Sequence, residues 1–305
     1  MRCKYLIISA IVTLTVFLSN PTPGFAIILG TAENFAVLGS STVSNTGSST
    51  VAGDLGLSPG PSVVGFAIPP ANTVVEGPSS TGLIDGPGLV SGTIHITDGS
   101  ALQARNDAIT AWTGLQNMPF TSNLTDVDLG GLTLTSGVYH FDTSAQLTGD
   151  LILDAQGLDN AFWAFLIGST LTTASSSSVA LINTKSGSNN GLFWQIGSSA
   201  TLGTDTLFLG NILASESVTL TTGADILCGR AIALNGAVTM DTNDISAICG
   251  ESIASRGFSG GFEFDESGKV VPVSRSSTAV PEPATLALLG LGLLGSRFKK
   301  NKIAV

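Results

Sequence analysis

Four short segments with a shared pattern decide the fold of this chain. They are Ser169-Thr170-Leu171-Thr172-Thr173, Ala200-Thr201-Leu202-Gly203-Thr204, Val218-Thr219-Leu220-Thr221-Thr222 and Val238-Thr239-Met240-Asp241-Thr242. The first threonines of successive segments lie 31, 18 and 20 residues apart. A period near 20 residues, with short strand-like segments and Gly or Ser between them, predicts a β-solenoid in which each turn of chain forms one coil. Residues 145–149 form a degenerate earlier copy, and the longest offset leaves room for a loop at 186–190.

The alternation of side chains within each segment predicts which of them face the core. Val218 and Leu220 share one parity and are expected inside, as are Val238 and Met240. Stacked coils then place the outward threonines in a ladder with neighbours about 4.8 Å apart. The predicted ladder consists of Thr170, Thr201, Thr219 and Thr239. The second threonines have the wrong parity for that face, so corners are predicted for Thr173, Thr204, Thr222 and Thr242.

One segment has a helical pattern instead. Asp98 is suited to cap a helix over 99–118, in which small or apolar residues recur every three or four positions. These are Ala101, Ala104, Ala108, Trp112 and Leu115. Pro119 ends the pattern, and the apolar stripe predicts that the helix lies along a larger body.

Both ends of the chain resemble export signals. Residues 1–26 combine basic Arg2 and Lys4, an apolar run and small residues before a cleavage point, as in a secretory signal peptide. The alternative is an uncleaved N-terminal anchor, although the run is short for a spanning helix.

The C-terminal end combines a motif, a hydrophobic stretch and a basic cluster. Pro281, Glu282 and Pro283 precede the apolar residues 284–295, and four basic residues follow. This arrangement over 280–305 resembles the PEP-CTERM sorting signal of Gram-negative bacteria. The resemblance implies that an exosortase-type enzyme removes the tail, leaving the protein in the cell envelope, at the outer surface or secreted. A plain, short transmembrane anchor is the alternative.

Charge is distributed unevenly between the ends and the exported region. The chain has 12 Lys and Arg and 22 Asp and Glu, but the two ends hold six of the basic residues and one acid. The region between has six basic and 21 acidic residues, a net charge of −15. Such a surface repels phosphate backbones, so we expect no nucleic-acid partner.

The region between the ends is long enough for one domain, predicted over 27–250. Its hydrophobic content favours a packed core over disorder despite abundant Gly, Ser and Thr. Cys228 and Cys249 form an even pair 21 residues apart, about one coil, which predicts a disulfide in an oxidising compartment. Residues 251–279 are rich in Gly and Ser and predict a flexible linker.

Candidate catalytic residues are few, and the sequence predicts no enzyme, metal or cofactor. The two histidines, His95 and His140, lie in separate segments. Acid pairs such as Asp126 with Asp128, or Asp241 with Asp244, have the carboxylates that glycosidases and calcium sites use, but Asp in such loops more often caps turns. The chain has no nucleophile elbow, zinc-protease motif or phosphate-binding loop.

Six ordered stretches resemble the DUF3494 ice-binding protein family. They are residues 29–38 (LGTAENFAVL), 53–60 (GDLGLSPG), 130–139 (GGLTLTSGVY), 165–173 (FLIGSTLTT), 193–203 (FWQIGSSATLG) and 229–239 (GRAIALNGAVT). The resemblance covers about residues 28–250. It implies a mainly β fold, a discontinuous right-handed β-helix of triangular section with one long helix alongside, in which N-terminal coils insert next to C-terminal ones.

The resemblance also implies ice binding through a flat face that is free of the helix. The candidate residues are Thr170, Thr172, Thr201, Thr204, Thr219, Thr221, Thr239 and Thr242. Family members often carry Thr-(Ala/Gly)-x-(Thr/Asn) on this face, whereas this chain has mainly Thr-Leu-x-Thr, and Asp241 places a charge among the hydroxyls.

The threonine pattern alone leaves two interpretations open. Stacked threonines stabilise sheets without any ligand. Stiff β-branched side chains at a regular spacing are also suited to order water before it meets ice. We therefore expect an exported ice-binding protein that inhibits ice growth or recrystallisation. The alternative is a structural or adhesive surface protein on the same scaffold, with extracellular polysaccharide as its partner.

Overall fold

A computed structural model describes residues 28–68, 74–77, 82–185, 188–249, 255–265 and 267–273. The predicted signal peptide, the motif Pro281-Glu282-Pro283 and the hydrophobic stretch 284–295 lie outside these residues. Among the residues described, no helix is both long and apolar enough to cross a membrane.

Parallel strands form three ladders that enclose the core, which confirms the predicted β-solenoid. The helix face is covered by α1 (Gly99–Gln116), the one long helix among the described residues. This face contains β1 (Phe35–Gly39), β4 (Asp54–Leu57), β6 (Val74–Glu76), β8 (Thr93–Ile96), β9 (Ser122–Asn123), β11 (Gly137–Phe141), β14 (Phe162–Ile167), β17 (Gly191–Ile196) and the second halves of β19 (Leu207–Ala214) and β21 (Asp225–Ala233).

Within the described part of the chain, the other two faces carry no helix. The threonine face contains β2 (Thr42–Thr46), β5 (Ser62–Phe66), β12 (Ala145–Leu147), β15 (Leu171–Thr173), β18 (Ala200–Leu202), β20 (Val218–Leu220), β22 (Val238–Asp241) and the beginning of β7 (Leu83–Val90). The third face contains β3 (Thr50–Ala52), β10 (Thr133–Thr135), β13 (Asp150–Asp154), β16 (Ser178–Ile182), β23 (Asp244–Ser246), the first halves of β19 and β21 and the end of β7.

The order of coils in space differs from their order in the chain. The last coil stacks on the first through three strand pairs, β21 on β1, β22 on β2 and β23 on β3. The N-terminal coils thus extend the stack beyond the C-terminal ones, as the family resemblance implies. Helix α1, about 27 Å long at 1.5 Å per residue, then returns the chain from β8 to the opposite end of the stack at β9.

Helix α1 begins at the predicted position and ends two residues earlier than expected. The carboxylate of Asp98 caps it by accepting a hydrogen bond from the Ala101 amide at 2.8 Å. Its buried stripe is mostly alanine, which lets the helix lie close to the strands: Ala101, Ala104, Ala108, Ala111 and Leu115. Trp112 is only partly buried, and its indole N–H donates to the Ile196 carbonyl. After Gln116 the Met118 amide bonds to the Leu115 carbonyl in a tighter turn, which ends the helix.

The predicted inward residues of the repeated segments fill the core. Val218, Leu220, Val238 and Met240 are each at most 1% exposed. Deeper along the solenoid, Trp194 stacks on Phe165 with ring centroids 4.0 Å apart. The alternation that was expected from the sequence therefore decides which side chains are buried.

The structure contains the predicted disulfide. Cys228 in β21 is joined to Cys249, which follows β23, and their Cα atoms are 5.4 Å apart. Because β21 and β23 are neighbouring strands, the bond connects one coil to the next on the third face.

The predicted flexible linker over 251–279 is wrong for the part that the structure describes. Ser255–Phe258 forms a 3-10 helix. An antiparallel hairpin of β24 (Phe262–Phe264) and β25 (Val270–Pro272) then follows. Phe258, Phe262 and Val270 are at most 2% exposed. The Gly and Ser content suggested mobility, but Phe262 and Val270 pack on α1 and the helix face, and Phe258 joins the core of the solenoid, so the domain extends to residue 273.

Candidate functional site

The centre of the threonine face is a single column of outward side chains. The strand registers join Gln146 to Thr172, Thr172 to Thr201, Thr201 to Thr219, Thr219 to Thr239, Thr239 to Ser44, Ser44 to Val64 and Val64 to Ile84. Four consecutive coils in the middle therefore present threonine, and a fifth presents serine. No register shift interrupts the pairing from β12 to the first part of β5.

The register corrects the predicted ladder by two residues in one coil. Thr172, and not Thr170, pairs with Thr201. Thr170 lies one position before β15, where its hydroxyl is 2.8 Å from the Ser144 hydroxyl of the neighbouring coil. Thr170 was predicted to pair with Thr201 because the two five-residue segments are similar. The coil between them is longer than the others, and the strand pairing therefore matches Thr201 with a residue two positions later.

A second column lies two residues beyond the first, along the edge next to the third face. It consists of Thr148, Ala174, Gly203, Thr221, Asp241 and Thr46. The Thr221 hydroxyl donates to the Leu202 carbonyl at 2.8 Å and lies 3.4 Å from the Thr204 hydroxyl. This hydrogen bond to the backbone fixes the Thr221 side chain before any ligand arrives.

The second threonines of the repeats divide into two groups. Thr204, Thr222 and Thr242 are exposed and follow their strands at the corners, as predicted. Thr173 is different, because it is the last residue of β15, only 3% exposed, and its hydroxyl is 2.8 Å from that of Thr206. The corner prediction for Thr173 is wrong, because the two-residue shift places this threonine within β15, one position after the outward Thr172, so that it faces inward.

Asp241 brings a negative charge to the threonine face. Its carboxylate accepts hydrogen bonds from the Thr222 hydroxyl at 2.5 Å and the Thr242 hydroxyl at 3.2 Å. The bond from Thr222 is the main reason that the pKa of Asp241 lies below its ordinary value. The carboxylate is therefore ionised at neutral pH, and it accepts hydrogen bonds from two hydroxyls of the face.

The N-terminal strand β2 also contributes to this face, which the repeated segments did not predict. Ser44 continues the central column beyond Thr239, and Thr46 lies beside Asp241. Thr42-Val43-Ser44-Asn45-Thr46 has the same alternation as the repeats, with Val43 fully buried. Only the insertion of this strand next to β22 brings the distant segment to the face, which no local pattern reveals.

The third face has a different chemistry. Carboxylates occur along its strands, with Asp150, Asp225 and Asp244 on the same outward column. Exposed aliphatic side chains stand among them, including Ile182, Leu207 and Leu227 at 40–49% exposure. Burial raises the pKa of Asp225 above its ordinary value, and the neighbouring charges of Asp244 and Asp205 act in the same direction.

Aspartates of the acid pairs that were considered as catalytic or calcium-binding residues form hydrogen bonds within their own coil or with a neighbouring coil. The Asp128 carboxylate accepts hydrogen bonds from the amides of Gly130 and Thr148, both within 2.9 Å, so it stabilises a corner as expected. The Asp244 amide donates to the Asp225 carboxylate at 2.7 Å. Within the described residues these carboxylates do not form a group of three metal-ligating side chains.

Comparison with known proteins gives two family matches. The model of the ice-binding-like family matches residues 37–246, which is more than half of the chain. The model of the PEP-CTERM protein-sorting motif matches residues 279–300.

Relatives and solved structures match over most of the domain. An ice-binding protein of Nostoc sp. (strain HG1) is 46% identical over 98% of this chain and 96% of its own length. An ice-binding protein from an Antarctic biological consortium is 38% identical, with a TM-score of 0.60 over 72% of this chain and 90% of that one. The ice-binding protein of the Antarctic ascomycete Antarctomyces psychrotrophicus is 33% identical, with a TM-score of 0.59 over 73% of this chain and 98% of that one. The repeated threonine segments, the discontinuous solenoid and these matches together show that this chain belongs to the ice-binding-like family.

Proposed function

We propose that this chain is an exported ice-binding protein that adsorbs to ice through the threonine face. It acts by inhibiting ice growth or recrystallisation, without catalysis and without a cofactor. The observation that carries the proposal is the central column, in which Thr172, Thr201, Thr219 and Thr239 stand in register on successive coils. No other set of side chains on the described surface repeats one residue type over four coils.

The column has the physical properties that adsorption to ice requires. Coil spacing in a parallel ladder is about 4.8 Å, so the hydroxyls and methyls repeat at a nearly crystalline interval. β-Branched side chains are restricted at χ1, so little rotamer entropy is lost when water orders around them. The face lies away from α1 and its hairpin, which leaves it open to a large planar ligand.

The second column, along the edge of the threonine face, supports the same function in part. Thr221 is held by its hydrogen bond to the Leu202 carbonyl, and a side chain that is already fixed loses less conformational entropy on binding. Asp241 works against the function because an ionised carboxylate holds its hydration shell strongly. We expect adsorption to be centred on β15, β18 and β20 and to be weaker near β22.

Ice partition of the purified protein tests the proposal. The expected result is enrichment of the protein in the ice fraction of a slowly frozen solution, together with smaller crystals in a recrystallisation assay. Exclusion from the ice, with unaltered crystal growth at high protein concentration, would contradict it. Retention on an extracellular polysaccharide without any ice adsorption would favour the adhesive alternative.

Processing of the C-terminal tail forms part of the same proposal. The sorting motif at 279–300 is expected to be recognised by an exosortase-type enzyme that removes the tail and releases the domain at the outer surface. Mass spectrometry of the exported protein should find a C-terminus upstream of the hydrophobic residues 284–295. An intact tail in the mature protein would show instead that the tail is an anchor.

A further inference from the structure

The end of the solenoid holds a group of side chains that ice binding does not use. Glu76 in β6, His95 in β8 and Asp98 before α1 each offer one ligand atom, and these atoms lie within 4.8 Å of one another. The strand register pairs Glu76 directly with His95. Three separate elements therefore bring an imidazole and two carboxylates together.

The distances fit a small ion with nitrogen and oxygen ligands. The Nδ1 atom of His95 is 2.6 Å from Oδ2 of Asp98 and 3.8 Å from Oε2 of Glu76. Ligand atoms in a tetrahedral zinc site are about 3.3 Å apart, given bonds of about 2.0 to 2.2 Å. The two separations from Nδ1 lie on both sides of that value, and the carboxylate oxygens of Glu76 and Asp98 are within 4.8 Å of each other. Zinc would replace the hydrogen bond that now joins His95 to Asp98.

Two of the three ligands are already positioned. The side chains of His95 and Asp98 are only 10% and 14% exposed. The second oxygen of Asp98 accepts the Ala101 amide at 2.8 Å, which orients the carboxylate in the way that outer hydrogen bonds orient metal ligands. Glu76 is 56% exposed, so its side chain can adjust to an incoming ion and leave a position for water.

A glycine allows the close approach of β6 to this group. Gly77, which follows Glu76, has a φ of +110° and leaves no room for a Cβ, since that atom would lie 2.1 Å from the Ile96 carbonyl oxygen and 3.2 Å from Cβ of Asp98. A side chain at this position would push β6 away from β8 and from the helix cap. The backbone is therefore shaped so that Glu76 can reach the other two ligands.

We propose that Glu76, His95 and Asp98 bind one Zn²⁺ ion, with water as the fourth ligand. An imidazole with two carboxylates suits zinc better than calcium or magnesium, which prefer sets of oxygens alone. The ion would tie β6 to β8 and to the start of α1. Its role is structural, because it stabilises the end of the solenoid where the ladder of the helix face stops.

Zinc titration of the purified full-length chain, first treated with a chelator, tests this site. We expect one Zn²⁺ per chain and a saturable rise in Tm, with no comparable rise on addition of Ca²⁺ or Mg²⁺. Glu76→Gln should weaken zinc binding by at least about tenfold, and because Glu76 is half-exposed this variant should keep the Tm of the zinc-free protein. His95→Gln should abolish zinc binding.

The second histidine provides the matched control. His140 also faces a carboxylate, with its Nε2 atom 3.0 Å from Oδ1 of Asp142, but among the described residues no third His, Cys, Asp or Glu side chain joins that pair. His140→Gln should bind zinc as tightly as the unchanged chain. A zinc-independent Tm of the unchanged chain, equal zinc affinity after Glu76→Gln, or loss of binding after His140→Gln would each overturn the proposal.

Discussion

The threonine face and the third face are built by the same coils, yet they differ in regularity. Strands of the threonine face pair without a register shift from β12 to the first part of β5. On the third face the pairing of β19 with β21 shifts between Phe208 and Leu209, where the extra residue Leu227 is 49% exposed. One face is a repeated array and the other a mixture of carboxylates and aliphatic side chains.

This difference in regularity follows from where the coils differ in length. Only three residues separate β11 from β12, β14 from β15, β17 from β18 and β19 from β20. The longer connections, 155–161 and 183–190, lie between the third face and the helix face. The largest length changes therefore lie away from the threonine strands, whose own connections to the neighbouring faces are two to four residues long from β1 to β3 and from β11 to β23. The alignment of the central column is thereby preserved.

The largest expected effect comes from removing the bond that holds the third face. Replacing Cys228 and Cys249 together by serine frees a loop of about 20 residues, which costs about 3 kcal/mol of unfolding free energy. Urea denaturation measures this loss. Ice adsorption below the transition should be unchanged, and a parallel loss of adsorption would show that the two faces are not independent.

A smaller effect tests the register of the threonine face. Thr172→Tyr places a bulky ring in the central column, whereas Thr170→Tyr places the same ring at the flank beside Ser144. We expect the first variant to lose more recrystallisation inhibition than the second at equal concentration. The reverse order would support the alignment that places Thr170 in the ladder.

Removal of the charge on the threonine face should improve adsorption modestly. Asp241→Thr supplies the residue that the neighbouring coil has as Thr221, and it frees the Thr222 hydroxyl. Ice partition should rise because a strongly hydrated carboxylate is lost. An unchanged or lower partition would mean that the carboxylate orders water usefully, or that adsorption does not reach this edge.

The smallest expected effect is on the pH dependence of stability, to which one carboxylate on each face contributes. The pKa of Asp241 is lowered, so its ionised form stabilises the fold above the unfolded pKa, and this contribution is lost as the pH falls through the folded pKa. The pKa of Asp225 is raised, so its contribution is present at low pH and is lost as the pH rises through the folded pKa.

Asparagine variants at the two positions should therefore show opposite trends. Between about pH 2 and about pH 6, Asp241→Asn should fall behind the unchanged protein as the pH rises, whereas Asp225→Asn should gain on it. Thermal unfolding across this range measures both. Parallel curves for the two variants would contradict the assigned directions.

The sequence predicts much of this fold because each coil is a local unit. The inward parity of Val218 and Leu220, the Asp98 cap and the Cys228–Cys249 pairing all follow from short patterns, and the structure has all of them. The errors arise where distant segments meet. The position of Thr172 depends on the length of the coil that follows it, and the place of Ser44 depends on β2 inserting beside β22.

The hairpin after residue 255 shows a second limit of sequence reasoning. Gly and Ser make up seven of the nineteen residues 255–273, but Phe262 and Val270 pack against apolar side chains of α1 and the helix face. Burial of a few large side chains outweighs the composition of the segment. Such partners are visible only once the solenoid is assembled.

The most direct test of the central claim compares the same bulky residue on the two uncovered faces. Thr219→Tyr alters the middle of the threonine face, and Ala180→Tyr alters an exposed strand position on the third face. Both variants should fold, as judged by an unchanged Tm. We predict that Thr219→Tyr is largely excluded from a growing ice hemisphere while Ala180→Tyr is incorporated like the unchanged protein. Equal incorporation of both variants, or exclusion of Ala180→Tyr alone, would contradict the assignment of the threonine face as the surface that meets ice.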